Sequence, residues 1–199
     1  MAPWEEVELE QPSWRELRDE TELFVAFGGI PLRNTQVAYG GITEHNSFEK
    51  VEALLQNGVE FINVSPNVAD LPQVNANQHI LLRPNTDVAF MLGVAYILEA
   101  EELLDRRFLS THCKGYESFS RYLLGKDDGI PKAPEWASAI TDIKAEEIVS
   151  LARKMAAKRT FISGAWSLQR AHHGEQPFWM IVVLSSMLGG IGLKGQGFG

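Results

Sequence analysis

Two periodicities of apolar residues divide this chain. Short runs of mainly apolar residues, the pattern of buried strands, occur at Leu23-Phe24-Val25-Ala26-Phe27, at Glu60 to Ser65, at His79 to Leu82 and at Thr160 to Ser163. Each is stopped by a breaker: Gly28-Gly29, Pro66, Arg83-Pro84 and Gly164. Between them the spacing is helical. Ser13 is placed to cap a short helix over Trp14 to Glu20. Phe48, Val51, Leu54 and Leu55 fall on one helical face, and Asn57-Gly58 closes that helix with a left-handed cap. Asn85-Thr86-Asp87 opens a strong helix whose apolar stripe is Val88, Met91, Leu92, Ala95 and Leu98. Asp105 to Leu124 is helical in part, with a break at Lys114-Gly115, and Lys126 to Pro131 reads as a loop. Pro134 suits a first helical turn. Lys144 to Lys158 and the very apolar Glu175 to Leu188 supply two more helices, and Gly189 to Gly199 is glycine-dense.

Strand, crossover helix, strand implies parallel pairing. The expected class is therefore α/β: a Rossmann-like, mostly parallel sheet with helices on both faces. Residues 1–12 read as an extended lead-in and 13–199 as one α/β domain. The 199 residues, 45% hydrophobic and 22% charged, have enough apolar material for a core, which excludes a wholly disordered chain. The apolar runs are too short and interrupted for a membrane span. Net charge is −8, and residues 1–22 alone carry −6, so the bulk of the chain is nearly balanced and a nucleic-acid footprint is not expected. The single cysteine, Cys113, excludes an internal disulfide and a cysteine-rich zinc site. No export signal is visible at the start.

In parallel sheets ligands bind beyond the carboxyl ends of the strands, so the chemistry is sought there. After the first strand stands Phe27-Gly28-Gly29-Ile30-Pro31-Leu32-Arg33-Asn34. Paired glycines let a backbone approach a ligand and could present N–H groups to a phosphate, or could be a plain tight turn. The spacing is not G-x-G-x-x-G, which weakens a nicotinamide or flavin reading. After the second strand, Ser65-Pro66-Asn67 offers hydrogen bonds to a nucleoside, or an ordinary turn; the acidic residue that holds a ribose is missing from the strand tip, and Asp70 lies further on. After the third, Asn85-Thr86-Asp87 reads most simply as a helix cap with a first-turn acid. The sharper reading is a guanine clamp, because a carboxylate can accept from both N1–H and the exocyclic amine of guanine. After the fourth, Ala165-Trp166-Ser167-Leu168-Gln169-Arg170-Ala171-His172-His173-Gly174-Glu175-Gln176 gathers polar and aromatic groups where a ligand would sit. His172 and His173, adjacent on a helix, would face different ways and make a poor metal pair.

Several of these stretches together resemble one family. Arg83 to Gly93 is similar to a hallmark stretch of the dimethyl sulfoxide reductase family of molybdenum enzymes, as are Gly125 to Lys132 with Glu135-Trp136-Ala137. The strongest likeness is Ala165-Trp166-Ser167-Leu168-Gln169-Arg170 followed by His172-His173-Gly174-Glu175-Gln176 and Trp179-Met180. The resemblance keeps its order from about Trp14 to Gly199, with Lys194 and Gln196 where relatives often carry Pro and Gly. The nearest group within the family is the single-subunit S-oxide and N-oxide reductases.

The resemblance implies a bis(molybdopterin guanine dinucleotide) molybdenum cofactor and oxygen-atom transfer from an S-oxide or N-oxide. It implies that Phe27, Gly28, Gly29, Ile30, Pro31 and Asn34 run beside a pyrophosphate. Ser65, Pro66 and Asn67 would contact the nucleoside, and Asn85, Thr86 and Asp87 the guanine. Ala165 and Gln169 would lie by the pterin. Trp166 and Arg170 would face the substrate, as the catalytic pair, with no metal ligand from this chain. It also implies an internal part of a longer enzyme, inactive alone. Its partners would be the rest of that enzyme, a small S-oxide or N-oxide, and an electron-donor protein or quinol-linked cytochrome. The compartment would be periplasmic or cytoplasmic. The alternative expectation is a non-catalytic, degenerate α/β binding domain derived from the family.

Overall fold

The computed structural model describes residues 11–31, 46–71 and 78–199. Its spine is a sheet of five parallel strands: β1 (Leu23–Phe27), β2 (Glu60–Val64), β3 (Gln78–Ile80), β4 (Thr160–Gly164) and β5 (Gly197–Phe198), in the order β3-β2-β1-β4-β5. β1 is central and fully buried, with Phe27 in register with Val64 on one side and Gly164 on the other. Its side chains alternate. Leu23, Val25 and Phe27 enter a large apolar cluster on one face, while Phe24 and Ala26 enter a smaller one on the other.

The smaller face is covered by α1 (Trp14–Glu20), through Leu17, and by α2 (Ser47–Gln56), through Val51 and Leu54. Phe24 stacks on Phe61 there, ring centroids 4.7 Å apart. Ser13 caps α1 in a reciprocal box with Glu16, so local sequence alone accounts for that helix start. The larger face carries α3 (Asp87–Ala100), α4 (Arg106–His112), α5 (Tyr116–Leu123), α6 (Pro134–Thr141), α7 (Ala145–Ala157) and α8 (Glu175–Met187). Helices therefore lie on both faces, as expected.

Three details depart from the sequence reading. The third strand is Gln78–Ile80 and stops before Leu81, because its ladder to β2 ends where Val64 pairs with Ile80. Helix α3 has no single apolar stripe; Ala89 to Ala95, Ile97 and Leu98 are all buried, since α6, α7 and α8 surround it. The glycine-dense tail contains β5, held to β4 by Gly199 N–H donating to Ile162 O (3.0 Å) and Gly164 N–H donating to Gly199 O (3.1 Å). A strand of two residues, one of them glycine, has no periodicity to detect.

The floor beneath the site depends on one close approach. A Cβ on Gly93 of α3 would stand 2.7 Å from the Ala137 Cβ of α6 and 3.2 Å from the Ile148 side chain of α7. Gly93→Ala is expected to cost about 1–3 kcal/mol, because neither neighbour is the far end of a flexible chain. The check is a denaturant titration, in which the midpoint falls and the slope does not.

Candidate functional site

All five strands end on the same edge, and the connections leave β1 in one direction and reach β4 from the other. The crevice of such a sheet opens at this switch point, over the ends of β1 and β4. The chain there is tightly cross-tied. Ala165 N–H donates to Phe27 O (2.8 Å), and Gly28 N–H donates to Val64 O (2.8 Å). Gly28 and Gly29 have φ of +78° and +71°. A Cβ on Gly28 would meet Ala165 Cβ at 2.8 Å, and one on Gly29 would meet Asp70 O at 2.2 Å. Both glycines thus pack the first loop against its neighbours.

The N–H groups of this turn are already engaged. Besides Gly28, Gly29 N–H donates to Ala26 O (3.4 Å) and Ile30 N–H to Asp70 O (2.5 Å). Pro31 has no N–H to give. The phosphate cradle that paired glycines suggest is therefore not formed by these amides. Asn34 lies outside the described residues.

Behind the second strand a small polar network replaces a plain turn. Ser65 is fully buried, and its hydroxyl donates to Asp70 Oδ2 at 2.7 Å. Asn67 N–H donates to Ser65 Oγ (3.3 Å), and Asn67 Oδ1 accepts from Ala69 N–H (3.0 Å). Pro66 and Asn67 are exposed above it. Asp70, 8% exposed, is the organiser that sequence reasoning passed over. Its carboxylate holds Ser65, and its carbonyl holds the β1 loop through Ile30. The only sequence signal was an acid in a short polar stretch after a strand. Asn63 beneath it is fully buried; its Nδ2 lies 3.2 Å from His79 Nδ1, while its Oδ1 has no partner among the described residues.

At the start of α3 the capping reading gives way. Thr86 occupies the cap position, yet its hydroxyl turns back to donate to Arg83 O (2.6 Å) and makes no cap bond. Asn85 stands at φ +64°, exposed, in the left-handed region that asparagine tolerates. Arg83 is steadied by Asp142, at 2.7 Å. Asp87 is 7% exposed, and among the described residues no other side chain donates to it or pairs with it. Burial pushes its carboxyl above the usual carboxylate range, only partly offset by its own backbone N–H.

The fourth strand end runs into a 3-10 turn over Trp166–Gln169. Trp166 is 65% exposed, Gln169 and Arg170 are also exposed, and Ala165 is half-buried. His172 and His173 do not diverge as helical neighbours would. They precede α8, and His173 has φ +59°, which brings the two rings to 3.9 Å between centroids. Among the described residues no group of three His, Cys, Asp or Glu is placed to hold a metal.

The third and fourth strand ends meet across one concave opening of about 450 Å³. Asn85 and Asp87 form one wall; Leu168, His172, His173 and Gln176 form the other. Of the predicted residues, Phe27 to Pro31, Ser65 to Asn67 and Ala165 gather at the crevice, Asn85 and Asp87 line the opening, and Trp166, Gln169 and Arg170 stand on the exposed turn beside them.

The sequence and the fold have known relatives. The family model described as "Molybdopterin oxidoreductase" matches residues 16–199. The dimethyl sulfoxide/trimethylamine N-oxide reductase of Rhodobacter capsulatus is 42% identical over 194 residues, covering 98% of this chain and 24% of that protein. Trimethylamine-N-oxide reductase 1 of Escherichia coli K12 is 41% identical over 201 residues, covering 98% of this chain and 24% of its own length. The chain thus spans about a quarter of the length of these relatives. Among solved structures, acetylene hydratase from Pelobacter acetylenicus shares the fold at a TM-score of 0.67 with 19% identity, covering 91% of this chain and 22% of that one. With a family match running through every strand and every loop of the carboxyl edge, this chain belongs to the molybdopterin oxidoreductase family.

Proposed function

We propose that residues 13–199 are the part of a molybdenum-dependent S-oxide or N-oxide reductase that holds one guanine dinucleotide arm of a bis(molybdopterin guanine dinucleotide) cofactor. One observation carries the reading: Asp87 is a buried carboxylate with no cation or side-chain donor among the described residues, and it lines an opening. Keeping such a group desolvated is unfavourable unless a ligand supplies donors. Guanine supplies two on one edge, N1–H and the exocyclic amine. The residues present therefore fit the group.

In this reading Asn85, Thr86 and Asp87 hold the guanine. Ser65, Pro66 and Asn67 border the nucleoside, with Asp70 fixing their conformation from below. Phe27 to Pro31 flank the pyrophosphate. Because the amides of Gly28 to Ile30 are engaged, that turn shapes the channel by close packing and does not donate to the phosphate. Ala165 and Gln169 border the pterin. Trp166 and Arg170, exposed on a short turn, face the substrate; Arg170 donates to the S-oxide or N-oxide oxygen and Trp166 walls the pocket. When bound, the cofactor supplies the two-electron redox chemistry of oxygen-atom transfer. Electrons come from a donor protein or a quinol-linked cytochrome, and the remaining cofactor contacts come from the rest of the enzyme.

The test is elemental and nucleotide analysis of the whole protein that carries this chain. Molybdenum together with guanosine monophosphate released by acid is the expected result. Protein that folds and purifies without either, under conditions in which a known family member loads normally, would instead mark a non-catalytic derivative of the family.

A further inference from the structure

Asn63 is a residue that the sheet does not need. It stands in β2 between Ile62 and Val64 and is fully buried. It pairs with Ala26 of β1 and His79 of β3, and it shares a face with Phe61. A β-branched apolar residue suits such a position, and asparagine is depleted in strands. The amide also carries an unmet cost. Among the described residues its Oδ1 has no partner. A buried acceptor without a donor is unfavourable.

What the amide does is local to three strand ends. Its Nδ2 donates to Asn67 O (3.4 Å), in the loop after β2, and lies 3.2 Å from His79 Nδ1 on β3. An amide nitrogen can only donate, so His79 Nδ1 accepts and the ring proton sits on Nε2. Asn63 Oδ1 lies against the turn after β1, since a Cβ on Gly29 would stand 2.9 Å from it. Neither partner of Nδ2 depends on the amide for its own satisfaction. Asn67 O also accepts from Asp70 N–H (3.1 Å), and His79 is exposed to water. Removing the amide therefore strands no buried group, and the usual penalty for breaking a buried hydrogen bond does not arise. We infer that Asn63 is a positioning residue, kept at a cost in stability because it sets the Asn67 carbonyl and the His79 ring and so pre-forms the loop over residues 65–70. This rests on the reading of that loop as the border of the nucleoside. Pre-forming matters because a loop that orders only on binding subtracts its ordering entropy from affinity. Asn63, fully buried, acts through Asn67 and not by touching a ligand.

The experiment compares wild type with Asn63→Val in the whole protein that carries this chain. Protein made in cells that cannot make molybdopterin is used first. Chemical denaturation reads the fold, and amide hydrogen exchange on the same samples reads the loop. The variant is expected to unfold at an equal or higher denaturant midpoint. Exchange protection over residues 65–71 is expected to fall about tenfold, the loss of roughly one net hydrogen bond, while β1 and β4 keep theirs. In protein from cells that make the cofactor, guanine nucleotide released by acid is expected to fall below wild type at equal amounts of folded protein. A lowered midpoint with protection lost evenly across the sheet would make the amide a structural group and overturn the inference. Unchanged protection over residues 65–71 would overturn it as well, because nothing would then be positioned. So would a loosened loop that retains full cofactor content. If wild type itself carries no guanine nucleotide, the proposed function fails first, and this inference with it.

Discussion

Gly29→Ala is expected to destabilise the protein by about 2–5 kcal/mol. Two independent costs add. The position has φ +71°, where an L side chain costs about 1–2 kcal/mol. The new Cβ would also lie 2.2 Å from Asp70 O and 2.6 Å from Asp70 Cβ, and relieving such an overlap costs about 1–3 kcal/mol. Neither Asp70 atom can retreat freely. The carbonyl accepts the Ile30 N–H, and the carboxylate accepts the Ser65 hydroxyl. The substitution therefore separates the loops after β1 and β2, so the damage reaches the crevice as well as the stability. Against a total of roughly 5–15 kcal/mol, the loss is large. A lowered midpoint in chemical denaturation, together with reduced cofactor content in the protein that remains folded, checks it. Unchanged stability would mean that the two loops are not coupled through Asp70.

Asp87→Asn is expected to move stability and ligand binding in opposite directions. In the folded chain without ligand, burial raises the Asp87 pKa. A raised carboxylate pKa means that the folded state binds the proton more tightly than the unfolded one. Stability is then greatest below the unfolded pKa and declines as pH rises through the folded pKa. Ionising the carboxyl there is unfavourable for the empty protein, and a neutral amide of the same shape avoids that cost. The cofactor-free variant is therefore expected to melt above wild type at pH 7 and to lose that advantage in acid. Binding goes the other way. If Asp87 holds guanine as proposed, replacing a charged acceptor by a neutral amide that also brings its own donors removes charge-assisted bonds worth about 1.5–3 kcal/mol, so guanine nucleotide affinity falls roughly 10- to 100-fold. Melting curves against pH and GMP titrations test the two halves separately. A variant that is less stable at every pH would show that the Asp87 carboxylate has a structural partner.

Much of the architecture was legible because it is local. The run Leu23 to Phe27, the capping pair Ser13 and Glu16, the break at Gly115 (φ +82°) and Pro134 in a first turn each carry their own signal, and each appears where the pattern places it. β5 was not legible, since Gly197 and Phe198 become a strand only by pairing with β4. Helix α3 misled for the opposite reason. A stripe was expected, but a helix enclosed by three others has no exposed face to mark.

The site divides in the same way. The carboxyl edge follows from parallel topology, so the loops that gather there could be chosen from the sequence pattern. What each residue does within them could not. Gly28 and Gly29 suggest a phosphate cradle by composition, yet their amides meet Val64 and Ala26 carbonyls. Thr86 suggests a cap, yet its hydroxyl bonds back to Arg83. Asp70 carries no motif, yet it ties two loops together. By itself, then, the sequence determined the fold class and the order of most elements, because hydrophobic periodicity and turn chemistry act over a few residues, and its motifs carried the resemblance to the family. Tertiary structure alone decided which N–H groups are already engaged, which carboxylate has no side-chain partner among the described residues and which two strand ends share a cavity. Those outcomes depend on bringing together residues tens of positions apart, such as Asp87 and Gln176, which line one opening, and no local pattern records them.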